Sequence, residues 1–121
     1  MTWAELGVEL NKLKIPTGLG GSYIEPDFAH FSWASAPAGD YGVYAEESGR
    51  NIFTADDRNE CRAMRGYVSW FTRTDSLTVP NAIEALFTSL QETCVLAWYL
   101  NTVQYEDDTH FLHYEWVVEL A

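Results

Sequence analysis

His110 and His113 form an H-x-x-H, the one spacing in this chain that brings two imidazoles close enough in sequence to suggest a shared metal. The run around them, Thr109 to Leu120, is aromatic and β-branched and reads as a strand, where residues three apart point to opposite faces. A shared ion is not expected there. His30 stands alone and reads as a hydrogen-bonded or solvated side chain. Asp56-Asp57 and Asp107-Asp108 have the chemistry of hard-cation ligands, but neither lies in the spaced D-x-D-x-D-G loop that wraps such an ion. They read as solvated turn carboxylates. Gly18 to Gly21 does not follow a strand and open a helix as a phosphate-cradling loop must, and G-x-S-x-G, P-loop and H-E-x-x-H patterns are missing. Cys61 and Cys94 sit in no C-x-x-C or Cys/His spacing and read as ordinary thiols. Trp33, Trp70, Trp98, Trp116 and Phe71 could line a ligand pocket, but aromatic residues of a small domain mostly build its core, which is the favoured reading. No catalytic, metal-binding or cofactor-binding residue emerges, so neither enzymatic activity nor a cofactor is expected.

The elements that would position these residues follow from periodicity. Thr2 and Glu5 form a capping-box pattern that starts a helix, and Trp3, Leu6, Leu10 and Leu13 recur along one helical stripe, with Pro16 and Gly18 ending it. A short strand is expected over 27–34 with Ala29, Phe31 and Trp33 on one side. Tyr41 to Glu46 is a second strand between turn-forming Gly39-Asp40 and Ser48-Gly49. Asn51 to Asn59 reads as a polar loop or arm. Cys61 to Thr72 is long enough to cross a sheet, with Met64, Gly66, Val68 and Trp70 on one parity and Ala63, Tyr67 and Phe71 on the other, as for a central strand covered on both faces. Pro80 suits the first turn of a helix carrying Ile83, Leu86, Phe87 and Leu90. Val95 to Tyr105 and Thr109 to Leu120 form a hairpin around Glu106-Asp107-Asp108, with Leu112, Tyr114, Trp116, Val118 and Leu120 facing inward. The expected fold class is α+β, two helices packed on a mainly antiparallel sheet, in a single domain spanning 1–121.

Charge narrows the function classes. A formal charge of -11 disfavours binding to a phosphate backbone, and a hydrophobic share of 47% excludes a merely solvating acidic polypeptide. From residue 74 onward there are eight acids and no Lys or Arg, whereas residues 50–73 carry Arg50, Arg58, Arg62, Arg65 and Arg73 against Asp56, Asp57 and Glu60. One segment of local positive balance thus sits inside a very acidic chain. No apolar run approaches the roughly 18 residues that span a bilayer, and the start lacks the pattern of a secretory signal, so a cytosolic protein with no membrane partner is expected.

The order and spacing of the elements resemble those of the small tail terminators, or tail-completion proteins, encoded in siphophage and prophage head-tail modules. The similarity covers most of the chain. It lies in a short helix ending at Leu13-Lys14-Ile15-Pro16, the strand Tyr41-Gly-Val-Tyr44, and the polar arm Asn51-Ile-Phe-Thr-Ala-Asp56. A long strand ending in Phe71-Thr72 and the last strand His113-Tyr-Glu-Trp-Val-Val-Glu119 complete it. The chain departs from the family pattern in being rich in Trp and poor in Lys, with few prolines before Tyr41. The resemblance implies a structural virion protein without cofactor. Such a protein forms a hexameric ring that ends the tail tube at the head-tail junction and assembles in the host cytoplasm. Its partners would be further copies, the major tail tube protein and the head-completion (stopper) protein, with DNA passing through unbound.

Two residue groups would serve that role. Arg58, Arg62 and Arg65 of one subunit are expected to face Glu106, Asp107 and Asp108 of the next, since a head-to-tail ring needs two different complementary patches. Glu47, Arg50, Asn51, Asp56 and Asp57 belong to an exposed assembly arm over 47–60. The competing reading of the arginines is that they neutralise acids of their own subunit. Two other functions fit the composition: an acidic inhibitor that mimics DNA, and a small ligand-binding or enzymatic α+β domain built around an aromatic pocket.

Overall fold

The computed structural model describes residues 1–18, 20–33, 37–47 and 64–121. The chain enters its first helix through a closed capping box: the Glu5 amide donates to the Thr2 hydroxyl at 3.0 Å, and the Thr2 amide donates to the Glu5 carboxylate at 2.7 Å. The bond from the Thr2 amide, and then that with its hydroxyl, hold the Glu5 carboxyl below its ordinary pKa. Helix α1 runs Trp3–Asn11 and turns Trp3, Leu6 and Leu10 into the core. It stops before the expected Pro16, because Ile15–Pro16 is instead a two-residue strand, β1, paired antiparallel with β2 at Tyr23–Ile24. Leu13 consequently leaves the helical stripe and packs at the margin of the core.

The main sheet contains β3 (Phe28–His30), β4 (Tyr41–Glu46), β5 (Met64–Thr72), β6 (Leu96–Glu106) and β7 (Phe111–Leu120), and helix α2 (Thr78–Glu92) lies between β5 and β6 in the chain. The strands lie in the order β3-β4-β5-β7-β6, and every pair except β3–β4 is antiparallel. This is an α+β fold, two helices on a mainly antiparallel sheet. Among the described residues, no helix is long and apolar enough to cross a membrane.

The strand expected over 27–34 is shorter and faces the other way. Phe28 is buried, Ala29 half-buried and Phe31 exposed. Phe31 adopts φ 67, which turns the chain out of the sheet after its amide has bonded the Tyr44 carbonyl at 2.9 Å. The outer edge of β3 is capped by a side chain. Asn11, at the end of α1, accepts from the Phe28 amide at 2.8 Å and donates to the Phe28 carbonyl at 3.1 Å, so one carboxamide takes the place of a neighbouring strand.

Both helices occupy one face of the sheet. On β5 the residues Gly66, Val68, Trp70 and Thr72 are buried there, and on β7 so are Tyr114, Trp116, Val118 and Leu120, the series expected from alternation. Leu112 lies at its margin. From α2, Ile83 and Phe87 are fully buried; Phe87 meets Trp116 edge-on at 6.0 Å and Trp98 at 5.7 Å. Trp3 of α1 reaches across the sheet, its indole donating to the Met64 carbonyl at 3.2 Å. The β6–β7 hairpin contains a bulge at Leu100/Thr102 that strand periodicity did not reveal.

Gly66 marks a close approach of both α1 and the neighbouring strand, because a Cβ there would strike the Ala45 carbonyl, the Trp3 ring and Glu46 Cα. Since two of these are backbone atoms that cannot swing aside, Gly66→Ala should destabilise the fold by about 1–3 kcal/mol, whereas Gly39→Ala, with nothing near its Cβ, should stay within about 0.5 kcal/mol. Urea denaturation of both variants checks this, and equal midpoints would show that the sheet yields freely at Gly66.

Candidate functional site

The register that sends Trp70 and Trp116 toward the helices forces the alternate residues to the opposite side. There β4 contributes Tyr41 and Val43, β5 contributes Tyr67, Ser69 and Phe71, and β7 contributes Phe111, His113, Glu115 and Val117. Neither helix packs on this face. Its centre is nevertheless tightly built: Phe111 and Val117 are buried, and Tyr41, Phe71 and His113 are half-buried.

An aromatic row occupies one end of the face. The Phe71 ring stacks between Tyr41, at 4.8 Å, and His113, at 4.1 Å, while Phe111 meets Tyr41 edge-on at 5.5 Å. Trp33 adds an edge contact to Tyr41 and anchors itself by donating to the Gly42 carbonyl at 3.0 Å. The Arg73 guanidinium lies 4.3 Å from the Phe111 ring centroid and donates to the Ala38 carbonyl at 2.8 Å. The Glu106 carboxylate approaches His113 Nδ1 at 3.5 Å and accepts from the Thr109 hydroxyl at 3.3 Å. Burial first, and then the nearby Glu106 charge, push the Tyr41 phenol above its ordinary pKa against the opposing pull of Arg73.

The other end is polar. Glu47 prolongs the β4–β5 ladder, its amide donating to the Arg65 carbonyl at 2.9 Å, and its carboxylate accepts from the Tyr67 hydroxyl at 3.2 Å. Arg65 lies 3.8 Å from that carboxylate and donates to the Tyr99 hydroxyl at 3.2 Å. Burial, reinforced by the bond to Glu47, raises the Tyr67 pKa.

Several expected site residues fall elsewhere than the sequence placed them. Glu47 is not part of an exposed arm but is tied into the sheet with Tyr67 and Arg65. Glu106 is engaged by His113 and Thr109 of its own chain, while Asp107 and Asp108 are exposed in the hairpin turn. Arg50, Asn51, Asp56, Asp57, Arg58, Arg62 and Cys61 lie outside the described residues. Cys94 is an exposed free thiol. His110 is in the turn with φ 61, bonded to the Tyr105 hydroxyl at 2.9 Å, whereas His113 stacks on Phe71; the two imidazoles serve separate contacts. Trp70 and Trp116 are core, as their type suggested, while Trp33 and Trp98 are half-buried. The aromatic row itself escaped sequence reasoning. Its signal was the odd parity shared by Tyr41, Phe71, Phe111 and His113, which becomes one face only once the three strands are in register.

On the helix side, a cavity of about 280 Å³ opens beside the start of α2, lined by Glu25, Asp27, Asp40, Trp70, Thr72 and neighbouring residues. Its buried hydroxyl is already used, Thr72 donating to Asp40 at 2.6 Å. The helix-free face is therefore the stronger candidate. Half-buried aromatic rings, an arginine on a ring and a rim of mixed charge are the composition of a protein-recognition surface. No protein-family model, curated protein or solved structure matches the chain.

At the margin of the sheet His30 Nε2 lies 2.6 Å from Glu46 Oε1 and its ring stacks on Tyr44. Desolvation pushes the Glu46 pKa up, but the bond and charge of His30, with a backbone hydrogen bond, outweigh it and leave the value below the ordinary one. A carboxyl with a depressed folded pKa stabilises the fold above the ordinary carboxylate range, about pH 4.3, and loses that contribution as pH falls through the folded value. Melting temperature should therefore decline on acidification, and Glu46→Gln should flatten part of that decline. Thermal melts from neutral to acidic pH test it; superimposable pH profiles for the two proteins would remove Glu46 from the account.

Proposed function

We propose that this chain is a structural assembly subunit that joins copies of itself head to tail, as in the hexameric rings of phage tail terminators, and that the ring ends a tail tube where it meets the head. The observation that carries the reading is the helix-free face of the sheet, because a half-buried aromatic row beside a charged rim suits a surface completed by another subunit. On this reading the ring forms in the host cytoplasm and persists in the virion, with the tail tube protein below, the stopper protein above and DNA passing through unbound.

Position along the strands supports a head-to-tail arrangement. Arg65 is aligned with Glu119 and, across β7, with Ala97, whereas Asp107 and Asp108 follow Glu106 at the far end of β6. Nine residue steps run from Ala97 to Glu106, about 30 Å at the usual rise per residue. Arg65 and the Asp107-Asp108 turn of one subunit therefore cannot meet each other. A contact between them has to join two subunits, as a head-to-tail ring requires. Arg65 is already shared with Glu47 and Tyr99, so its charge fixes orientation while apolar contact supplies most of the affinity.

In mass photometry at low salt the parent chain should form six-copy rings, alone or on tail tubes. Arg62→Glu with Arg65→Glu should abolish them without changing the circular dichroism spectrum, and Asp107→Lys with Asp108→Lys should restore them in part. Normal assembly of the arginine variant would rule out the charged interface; a parent chain that stays monomeric even with tubes present would rule out the ring.

A further inference from the structure

The two edges of the main sheet are treated differently by the chain. At β3 the outward amide and carbonyl of Phe28 are both taken by Asn11. At the other edge β6 pairs only with β7, and among the described residues no strand lies along its outer side. That edge is long, 11 residues, and α2 shelters only its beginning, so that Tyr99, Leu100, Val103 and Tyr105 are all at least 41% exposed. Soluble proteins usually guard such an edge with an outward Lys, a Pro or a covering segment. β6 contains neither Lys nor Pro; its single guard is the bulge at Leu100/Thr102, which leaves Thr102–Glu106 as an uninterrupted run beside it.

We propose that the outer edge of β6 is a strand-addition site for an extended segment of a different protein, one that alternates apolar residues with Lys or Arg. Backbone hydrogen bonds would supply the register, and exposed Val103 and Tyr105, which share one face beyond the bulge, would cover the segment's apolar side chains. Charge selects the occupant. The strand ends in Glu106 and continues into Asp107 and Asp108, its neighbour β7 carries Glu115 and Glu119, and no Lys or Arg follows Arg73. A second copy of the chain would bring its own charge of -11 toward these acids, whereas a basic segment is attracted to them. The far end of this edge shares Glu106, Asp107 and Asp108 with the acidic patch of the proposed ring, but strand addition needs only the single chain and does not require rings to form.

The probe is a synthetic ten-residue peptide alternating Val and Lys, compared with the same peptide N-methylated at every second amide, which keeps the charge but removes the donors of one edge. Hydrogen exchange on the full chain is the readout. The unmodified peptide should slow exchange of outward-facing amides within Leu96–Glu106 at least tenfold, the methylated one should not, and Val103→Lys should weaken binding several-fold while the melting temperature holds. Equal protection by both peptides would show mere electrostatic adsorption and overturn the proposal. So would protection confined to other elements, or an edge already protected in the free chain by self-pairing. If charge reversal at Arg62 and Arg65 abolishes rings but leaves peptide protection intact, strand addition stands on the single chain whatever becomes of the ring.

Discussion

Burying an indole is costly unless its N–H finds an acceptor, and fully buried Trp116 finds one in Glu84 of α2 at 2.8 Å. That contact fixes which side of β7 faces the helices. The register then carries the choice to β5, where Val68 lies opposite Trp116, and from β5 to β4, where Tyr44 lies opposite Val68. Since strand side chains alternate, a slip of one residue anywhere in this chain of pairings would send Trp70 to the helix-free side and Phe71 inward. The aromatic row of Tyr41, Phe71 and His113 is thus a consequence of how Trp116 is buried.

The two faces carry different debts. On the helix side Trp98 Nε1 is buried without a hydrogen-bond partner among the described residues, and on the opposite side so is His113 Nε2. A buried polar atom left unpaired costs about 1–3 kcal/mol. Near Trp98 the surroundings are apolar packing against Phe87, so its indole behaves as filler for the seam between α2 and the hairpin. Around His113 the surroundings are Phe71 and Glu106, a mixed environment at the heart of the proposed assembly surface.

How much of this was legible in the sequence depended on the range of the deciding interaction. The capping box of Thr2 and Glu5, the periodicity of α2 and the alternation of β7 are local, and each could be read from neighbouring residues. The early end of α1 could not, because it is decided by pairing of Ile15–Pro16 with Tyr23–Ile24. The inward turn of Phe28 was equally hidden: Asn11 reads as a polar residue on a helix flank until α1 and β3 are brought together. The aromatic row combines residues as far apart as Tyr41 and His113, so only sheet order reveals it. The acidic hairpin turn was evident, but the engagement of Glu106 by His113 was not, since the two belong to different strands joined across the turn.

Sheet order also differs from chain order in one respect that bears on synthesis. β7 is the last of the described strands in sequence yet lies in the interior of the sheet, between β5 and β6. On the ribosome β4 and β5 can pair as soon as they emerge, but the second side of β5 stays unpaired until α2, β6 and β7 have all left the exit tunnel. The nascent chain therefore carries a long unsatisfied strand edge from the emergence of β5 until β7 follows it, and its sheet closes in a single late step.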